Sequence, residues 1–322
     1  MPPQDAEPSH HARELVRGAY DLHVHVAPDV MARRITDLEL AKRFLAVGLA
    51  GFGLKSHYVP TTERAAVVNA AVPGIRALGA ITLNASVGGL NPLAVEIAAR
   101  QGARIVWMPT VDAANQRAAR DVMPKGAVPP VWMALQNDLR AKGMEAGEVP
   151  VVDVDGQPLP QLLDVLRVIA EHDLILATGH LAAAEIHTVT MAAFELGVRS
   201  VVITHPEFPH QNLSVAQQLE LADMGALLER CFTTPYTGKV AWSTMVANIK
   251  AVGLARSLIT TDLGQPANPP VEDGLALMAD GLLAAGFSES EVRTATVGNS
   301  RRLATAGSAA TAGAAATSGF ED

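Results

Sequence analysis

The sequence predicts an α/β fold, a single (β/α)8 barrel with an insertion after the fourth strand, and three observations carry that prediction. Eight short runs rich in Val, Ile, Leu and Ala alternate with stretches that suit helices. Before the insertion they recur at roughly 26 to 30 residues, the length of one strand-helix unit. A chain of 322 residues accommodates eight such units in one domain. The hydrophobic fraction is 49% with only 4% aromatic residues. The core must therefore be aliphatic, the usual filling of a parallel sheet covered by helices. An open, doubly wound sheet would need fewer strands or a domain break, and neither is visible.

In chain order, residues 1–10 read as a loose leader with His10 and His11 solvated, and a short helix over 12–18 is expected to close the bottom of the barrel. The first strand carries Asp21-Leu22-His23-Val24-His25-Val26. Side chains two apart on a strand share a face, so His23 and His25 project together while Leu22, Val24 and Val26 face the other way. An amphipathic segment over 37–47 stops at Gly48, and the second strand, 50–57, ends in Lys55 and His57, again two apart. Gly53 within it is expected to allow close packing. Thr61 is placed to cap a helix over 62–71. The third strand spans 76–85, a helix 92–101, and the fourth strand 103–109.

About 40 extra residues then interrupt the rhythm, and insertions of that size tend to form a lid or wall over a site. The insertion, about 113–158, contains Val128-Pro129-Pro130 and a hairpin over 151–154 turning through Asp155-Gly156. Pro150 and Pro158 confine that hairpin to a few residues at an edge. Pro160 opens a helix that runs to 171. Strands five to eight fall at 174–180, 200–205, 226–231 and 258–262, with helices over 182–195, 215–224 and 244–251 between them. The barrel is expected to end at 304. The tail, 305–322, is rich in Ala, Gly, Ser and Thr and is expected to be disordered.

The C-terminal ends of barrel strands surround one mouth, where such folds place their chemistry. There the sequence puts His23, His25, Lys55, His57, His180, His205, Glu229 and Asp262. Two imidazoles on one rigid strand make a ready pair of metal ligands. Four histidines and an aspartate on strand ends point to a divalent metal, zinc first.

With "DLHVH", "ATGH", "VITHP" and "TTD" at those ends, the chain resembles the amidohydrolase superfamily of metal-dependent barrel hydrolases over about residues 20–306. That family ends strand one in HxH, strands five and six in His and strand eight in Asp. The closing "TVGNSRRLATA" is similar to the family's Asn-x-x-Arg-Leu segment. The resemblance implies that His23, His25 and Asp262 hold a divalent metal, with His180 a further ligand of that ion or of a second. It implies that His205 either ligates a second metal or polarises the substrate carbonyl. Asp262 would also take a proton from water and pass it to the leaving group. Strand four lacks the Lys or Glu that bridges two metals in many relatives, reading Val106-Trp107-Met108-Pro109-Thr110. Lys55 is then an amine facing a substrate carboxylate or donating a proton or, if carbamylated, a bridge; one ion is favoured over two. The small β-domain of many relatives is expected to be missing.

His57 and Glu229 are the substrate-facing candidates. Asn84, Arg230 and Tyr236 could line the pocket or satisfy loop backbone, and Asp29 is expected to pair with Arg34. His172 and His187 fall outside strand ends. A net charge of -8 argues against a nucleic-acid surface and for a small-molecule substrate. One cysteine, Cys231, excludes an internal disulfide framework. No run approaches a membrane span and the N-terminal residues carry no apolar targeting segment, so the expected address is cytoplasmic; a homo-oligomer is compatible with this class. The reading is a hydrolase that uses a metal-activated water to cleave an amide, cyclic amide, lactone or ester in a small polar molecule. The alternatives are a metal-dependent lyase of a small carboxylic acid, a phosphoesterase, or a barrel that binds without turnover.

Overall fold

A strand buried on both faces must be apolar throughout or must pair its polar groups, and every residue of β1 (Tyr20–Val24), β2 (Gly51–Leu54), β4 (Ala103–Trp107) and β7 (Leu227–Cys231) is buried. A computed structural model describes residues 7–121, 131–144 and 147–306. With β3 (Arg76–Thr82), β5 (Ile175–Ala177), β6 (Ser200–Ile203) and β8 (Ser257–Thr260), these strands pair in parallel in sequence order, β1 to β8. Helices such as Asp37–Ala46, Pro92–Arg100 and Pro160–Glu171 cover the outside. This is the expected (β/α)8 barrel.

Closure happens at the seam between β1 and β8. Asp262 N donates to His23 O and His25 N to Leu263 O, each at 2.8 Å. The Asp21 carboxylate accepts from Thr261 N (3.1 Å), Thr261 Oγ1 (2.5 Å) and His23 N (3.3 Å). Burial pushes the Asp21 carboxyl up to about 7 against those bonds. Gly264, with φ 130, closes this seam too: a Cβ there would fall on the carbonyl of His25.

The side-chain layers show where local pattern and structure part. Tyr20, Leu22, Ile105, Trp107, Val202 and Leu258 pack inside the barrel, whereas Val24, Val26, Phe52 and Leu54 pack outward under the helices. Strict alternation would put Leu22 with Val24. The β1–β2 register shifts between Asp21 and Val24, and such an irregularity reverses the phase. Leu22 is thus interior, and His23 and His25 still face the mouth. A Cβ on Gly53 would meet Leu22 O and Ile105 Cδ1, so its role in close packing holds.

Two expectations are corrected by tertiary partners. The N-terminal helix, His10–Leu15, packs Ala12 and Leu15 into the outer layer, and Ser9 before it bonds Asp280. The barrel bottom is filled instead by the helix Asn299–Thr305, whose Leu303 and Ala304 join the interior. Asn299 holds that helix by donating to the carbonyls of Ala255 and Ser257. Thr61 makes no side-chain cap; its hydroxyl donates to Leu54 O at 2.7 Å and accepts from Ala80 N at 2.9 Å, joining β2 to β3. The predicted hairpin forms over a few residues: Val152 bridges Pro158 in antiparallel fashion, Asp153 N donates to Gln157 O at 2.9 Å and Leu159 N to Val151 O at 3.1 Å.

The insertion contributes helices Ala114–Asp121 and Val131–Ala141. The Val128-Pro129-Pro130 run, most of the leader and the tail from 307 lie outside the described residues. Among the described residues, no helix is long and apolar enough to cross a membrane.

Candidate metal centre

The strands end earlier than their apolar runs suggest, so the polar residues sit just beyond them. His25, Lys55, His57, His180, His205 and Asp262 all lie one to three residues past a strand end. His23 Nε2 is 3.2 Å and His25 Nε2 3.1 Å from Asp262 Oδ1. The three donor atoms lie within 4.8 Å of one another. Two imidazole nitrogens and a carboxylate oxygen are the donor types a divalent ion such as zinc takes. His180 adds a second indication: its Nδ1 is buried without a hydrogen-bond partner, although almost all buried polar atoms have one. The residues present therefore fit a metal. Asp262 (φ 54) and His205 (φ 26) occupy a backbone region that non-glycine residues rarely enter, a strain typical of functional loops.

His23 is oriented from behind. Its Nδ1 lies 3.0 Å from Glu229 Oε1, which also accepts from Thr260 Oγ1 at 2.9 Å. A carboxylate there keeps the proton on Nδ1 and turns the Nε2 lone pair toward the centre. Burial opposes ionisation of Glu229, but His23 outweighs it and holds the carboxyl below its ordinary range. Glu229 was expected to face substrate; its side chain is 1% exposed and does not line the cavity at the mouth. Its depth within β7, rather than past the strand end, is the reason. Glu229→Gln is expected to lower metal affinity about 10- to 100-fold. Zinc titration of the stripped protein checks this, and unchanged affinity would contradict the orientation argument.

Lys55 places Nζ 3.0 Å from His23 Nε2 and 3.9 Å from the centroid of the Trp107 ring. Burial holds its pKa below the ordinary lysine value. His57 stacks on His25 with ring centroids 5.0 Å apart, and its Nδ1 is 2.9 Å from Thr110 Oγ1. The expected pairing of Asp29 with Arg34 does not form. Asp29 binds Arg33, four residues on, at 2.6 Å, and Arg33 Nη2 lies 3.4 Å from His25 Nδ1. Burial, with Arg33 second, depresses the His25 pKa to about 3. Arg34 turns the other way and donates to the carbonyls of Pro266 and Asn268.

His180 and His205 lie together, 5.1 Å between centroids, outside the close donor triad. Gln211 Nε2 donates to Gly179 O at 3.0 Å and lies 3.2 Å from His205 Nδ1. Gly179, at φ 61, is required because a Cβ would collide with the carbonyl of Met108. Burial first, then Lys55, lowers the His205 pKa to about 3, so its ring is neutral. These side chains border a cavity of about 380 Å³ that His25, Lys55, His57, His180, His205 and Asp262 all line. Trp132, from the insertion, also lines it.

Arg230 faces away from the mouth, into a buried contact with Glu207 and Gln218. Asn84 serves loop backbone, donating to His57 O. The outlying His172 and His187 pair with Glu96 and Glu220. Arg33, Phe208 and Gln211 went unrecognised as site candidates. Only Arg33, in the loop after the HxH strand, carried a signal in its position.

The sequence family described as "Family of unknown function (DUF6282)" matches residues 18–229. The chain belongs to DUF6282. Of the eight residues expected at the mouth, the DUF6282 match includes all but Asp262. No curated protein matches the sequence. Among solved structures, this DUF6282 chain is similar to an amidohydrolase from Pseudomonas aeruginosa, with 12% identity, TM-score 0.58, and coverage of 92% of this chain and 98% of that one. It is similar to the probable dipeptidase PvdM from Pseudomonas aeruginosa, with 12% identity, TM-score 0.59, and coverage of 91% and 96%. A mutant PTE-like lactonase from Deinococcus radiodurans gives 16% identity, TM-score 0.52, and coverage of 91% and 96%. The DUF6282 chain thus shares the barrel fold of these structures, with a buried, histidine-rich set of donors at its mouth.

Proposed function

We propose that the chain is a metal-dependent hydrolase that cleaves a C–N or C–O bond next to a carbonyl in a small polar molecule. The observation that carries this reading is the convergence of His23 Nε2, His25 Nε2 and Asp262 Oδ1 beside a cavity that His205 also lines. The names of the similar structures, an amidohydrolase, a probable dipeptidase and a lactonase, agree with that class of bond.

His23, His25 and Asp262 would hold the ion, with His180 Nδ1 as a further donor; the nitrogen-rich set favours zinc. When bound, such an ion supplies Lewis acidity and makes water ionise near neutral pH. The chain's own groups supply the proton handling. The two imidazoles outweigh burial and hold Asp262 well below the usual carboxylate range, so it is ionised and able to accept a proton. Its Oδ2 accepts from Thr233 Oγ1 at 3.1 Å, which fixes the carboxylate plane, and it can pass the proton to a leaving group.

The protonation of His205 follows from its neighbour. Gly179 O demands the amide nitrogen of Gln211, and that same NH2 group meets His205 Nδ1. Nδ1 is then an acceptor, and the proton of the neutral ring is on Nε2. An Nε2–H donates to a carbonyl oxygen and cannot ligate a metal through that atom, which supports His205 as the group that polarises the substrate. A single ion is the simpler arrangement, since Lys55 already meets His23 and Trp107.

The test is metal content per chain, by mass spectrometry on protein purified without chelator, beside His23→Ala and a panel of small amides and lactones in 18O-labelled water. About one zinc-like ion, lost in the variant, with label entering a product, is expected. Metal retained at full stoichiometry in the variant, or product formed without label, would overturn the reading.

A further inference from the structure

The cavity has the opposite charge balance to the protein as a whole. The chain carries a net charge of -8. Among the described residues lining the cavity, however, Arg33, Lys55 and Lys239 are cationic and Asp262 is the one carboxylate. Arg33 is offset from behind by Asp29, and Lys55 is engaged with His23 and Trp107. Lys239 differs from both. Among the described residues it has no ion-pair partner, and its ammonium lies over the Phe208 ring, 4.4 Å from the centroid. One side of that ammonium is therefore covered by an aromatic face, and among the described residues no carboxylate lies within ion-pair distance of its remaining N–H groups. A divalent ion on the histidines would raise the positive balance further.

Phe208 links this cation to the reacting groups. Its ring packs on His205 with centroids 4.7 Å apart, so one phenyl ring touches both the Lys239 ammonium and the imidazole proposed to polarise the carbonyl. Trp132 adds a second apolar surface. A cavity of about 380 Å³ is near the small end of ligand pockets.

We infer that the substrate is a small organic anion, its carboxylate held by Lys239, its apolar body against Phe208 and Trp132, and its scissile carbonyl group toward His205 and Asp262. The position of the scissile bond rests on the hydrolase reading; the anion site rests on the cavity alone.

Calorimetric binding of benzoate and of its neutral isostere benzamide tests the anion site without turnover, using zinc-loaded and chelator-stripped protein. Benzoate is expected to bind both forms, at least about ten-fold tighter than benzamide. Lys239→Met should weaken benzoate about 10- to 100-fold, the range for a hydrogen bond to a charged group, without changing benzamide affinity or metal content. Lys239→Arg should retain benzoate binding. Unchanged benzoate affinity in Lys239→Met, no benzoate binding at all, or binding that requires zinc and ignores Lys239 would overturn the proposal. Intact benzoate binding with no hydrolysis of carboxylate-bearing amides or lactones would instead count against the hydrolase reading and leave the anion site standing.

Discussion

Asp262→Asn is expected to reduce turnover by roughly 10³-fold or more while the barrel stays folded, since loss of a general base alone typically costs 10²–10⁴. The substitution is unusually clean here. Asp262 sits at φ 54, a region that Asn enters as readily as Asp, so the backbone of the loop after β8 need not move. The seam bonds from Asp262 N to His23 O and from His25 N to Leu263 O are made by main chain and survive. Two things are lost: the negative charge between His23 Nε2 and His25 Nε2, and the only carboxylate facing the cavity among the described residues. Assaying at rising zinc concentration separates them. A defect that zinc repairs is one of ligation, whereas a residual loss at saturating zinc belongs to the base. Circular dichroism and a thermal midpoint near that of the parent verify the fold. Activity within ten-fold of the parent at saturating zinc would remove Asp262 from proton transfer.

Much of this centre was legible in the sequence because its signals are local. His23 and His25 share a face through the two-residue period of a strand, and His180, His205 and Asp262 each follow an apolar run that ends abruptly. What escaped depends on long-range partners. The inward direction of Glu229 was readable, but its contact, His23, is 206 residues away, and depth along β7 decides whether a side chain meets substrate or a ligand's back. Arg33 and Arg34 are adjacent in a loop with no period, so nothing local tells which one turns toward Asp29. The phase change in β1 leaves no mark in composition, although it puts Leu22 and His23 on the same side. Thr61 had the chemistry of a cap, and the carbonyl of Leu54 and the amide of Ala80 claimed its hydroxyl instead.

Removing one partner of the buried pair Arg230–Glu207 should be the most costly single change to stability, about 3–5 kcal/mol, the range for stranding a buried charge. Both side chains are almost fully buried, at 0% and 2% exposure. Burial lowers the Arg230 pKa to about 9, which still leaves it charged at neutral pH. Besides Glu207, it donates to Gln218 Oε1 at 2.8 Å and to Ser257 Oγ at 3.3 Å, so it ties β7 to β8 and to the helix Val215–Asp223. In Arg230→Met the Glu207 carboxylate keeps, among the described residues, only Asn248 Nδ2, at 3.5 Å. The double variant Arg230→Met/Glu207→Leu removes both charges and should recover much of the loss, because a packed apolar pair can match a buried ion pair. Urea unfolding of the two singles and the double closes the cycle, and additive losses would show that the pair is not coupled. Glu207 follows His205 by two residues, and His205 holds a strained φ of 26 that the surrounding structure must maintain. Kinetics on the same variants therefore separate two roles. If the pair holds only the sheet and helix together, kcat of the folded fraction stays at the parent value. If it also anchors the loop that presents His205 to the cavity, kcat falls in Arg230→Met and is not restored when the double variant regains stability.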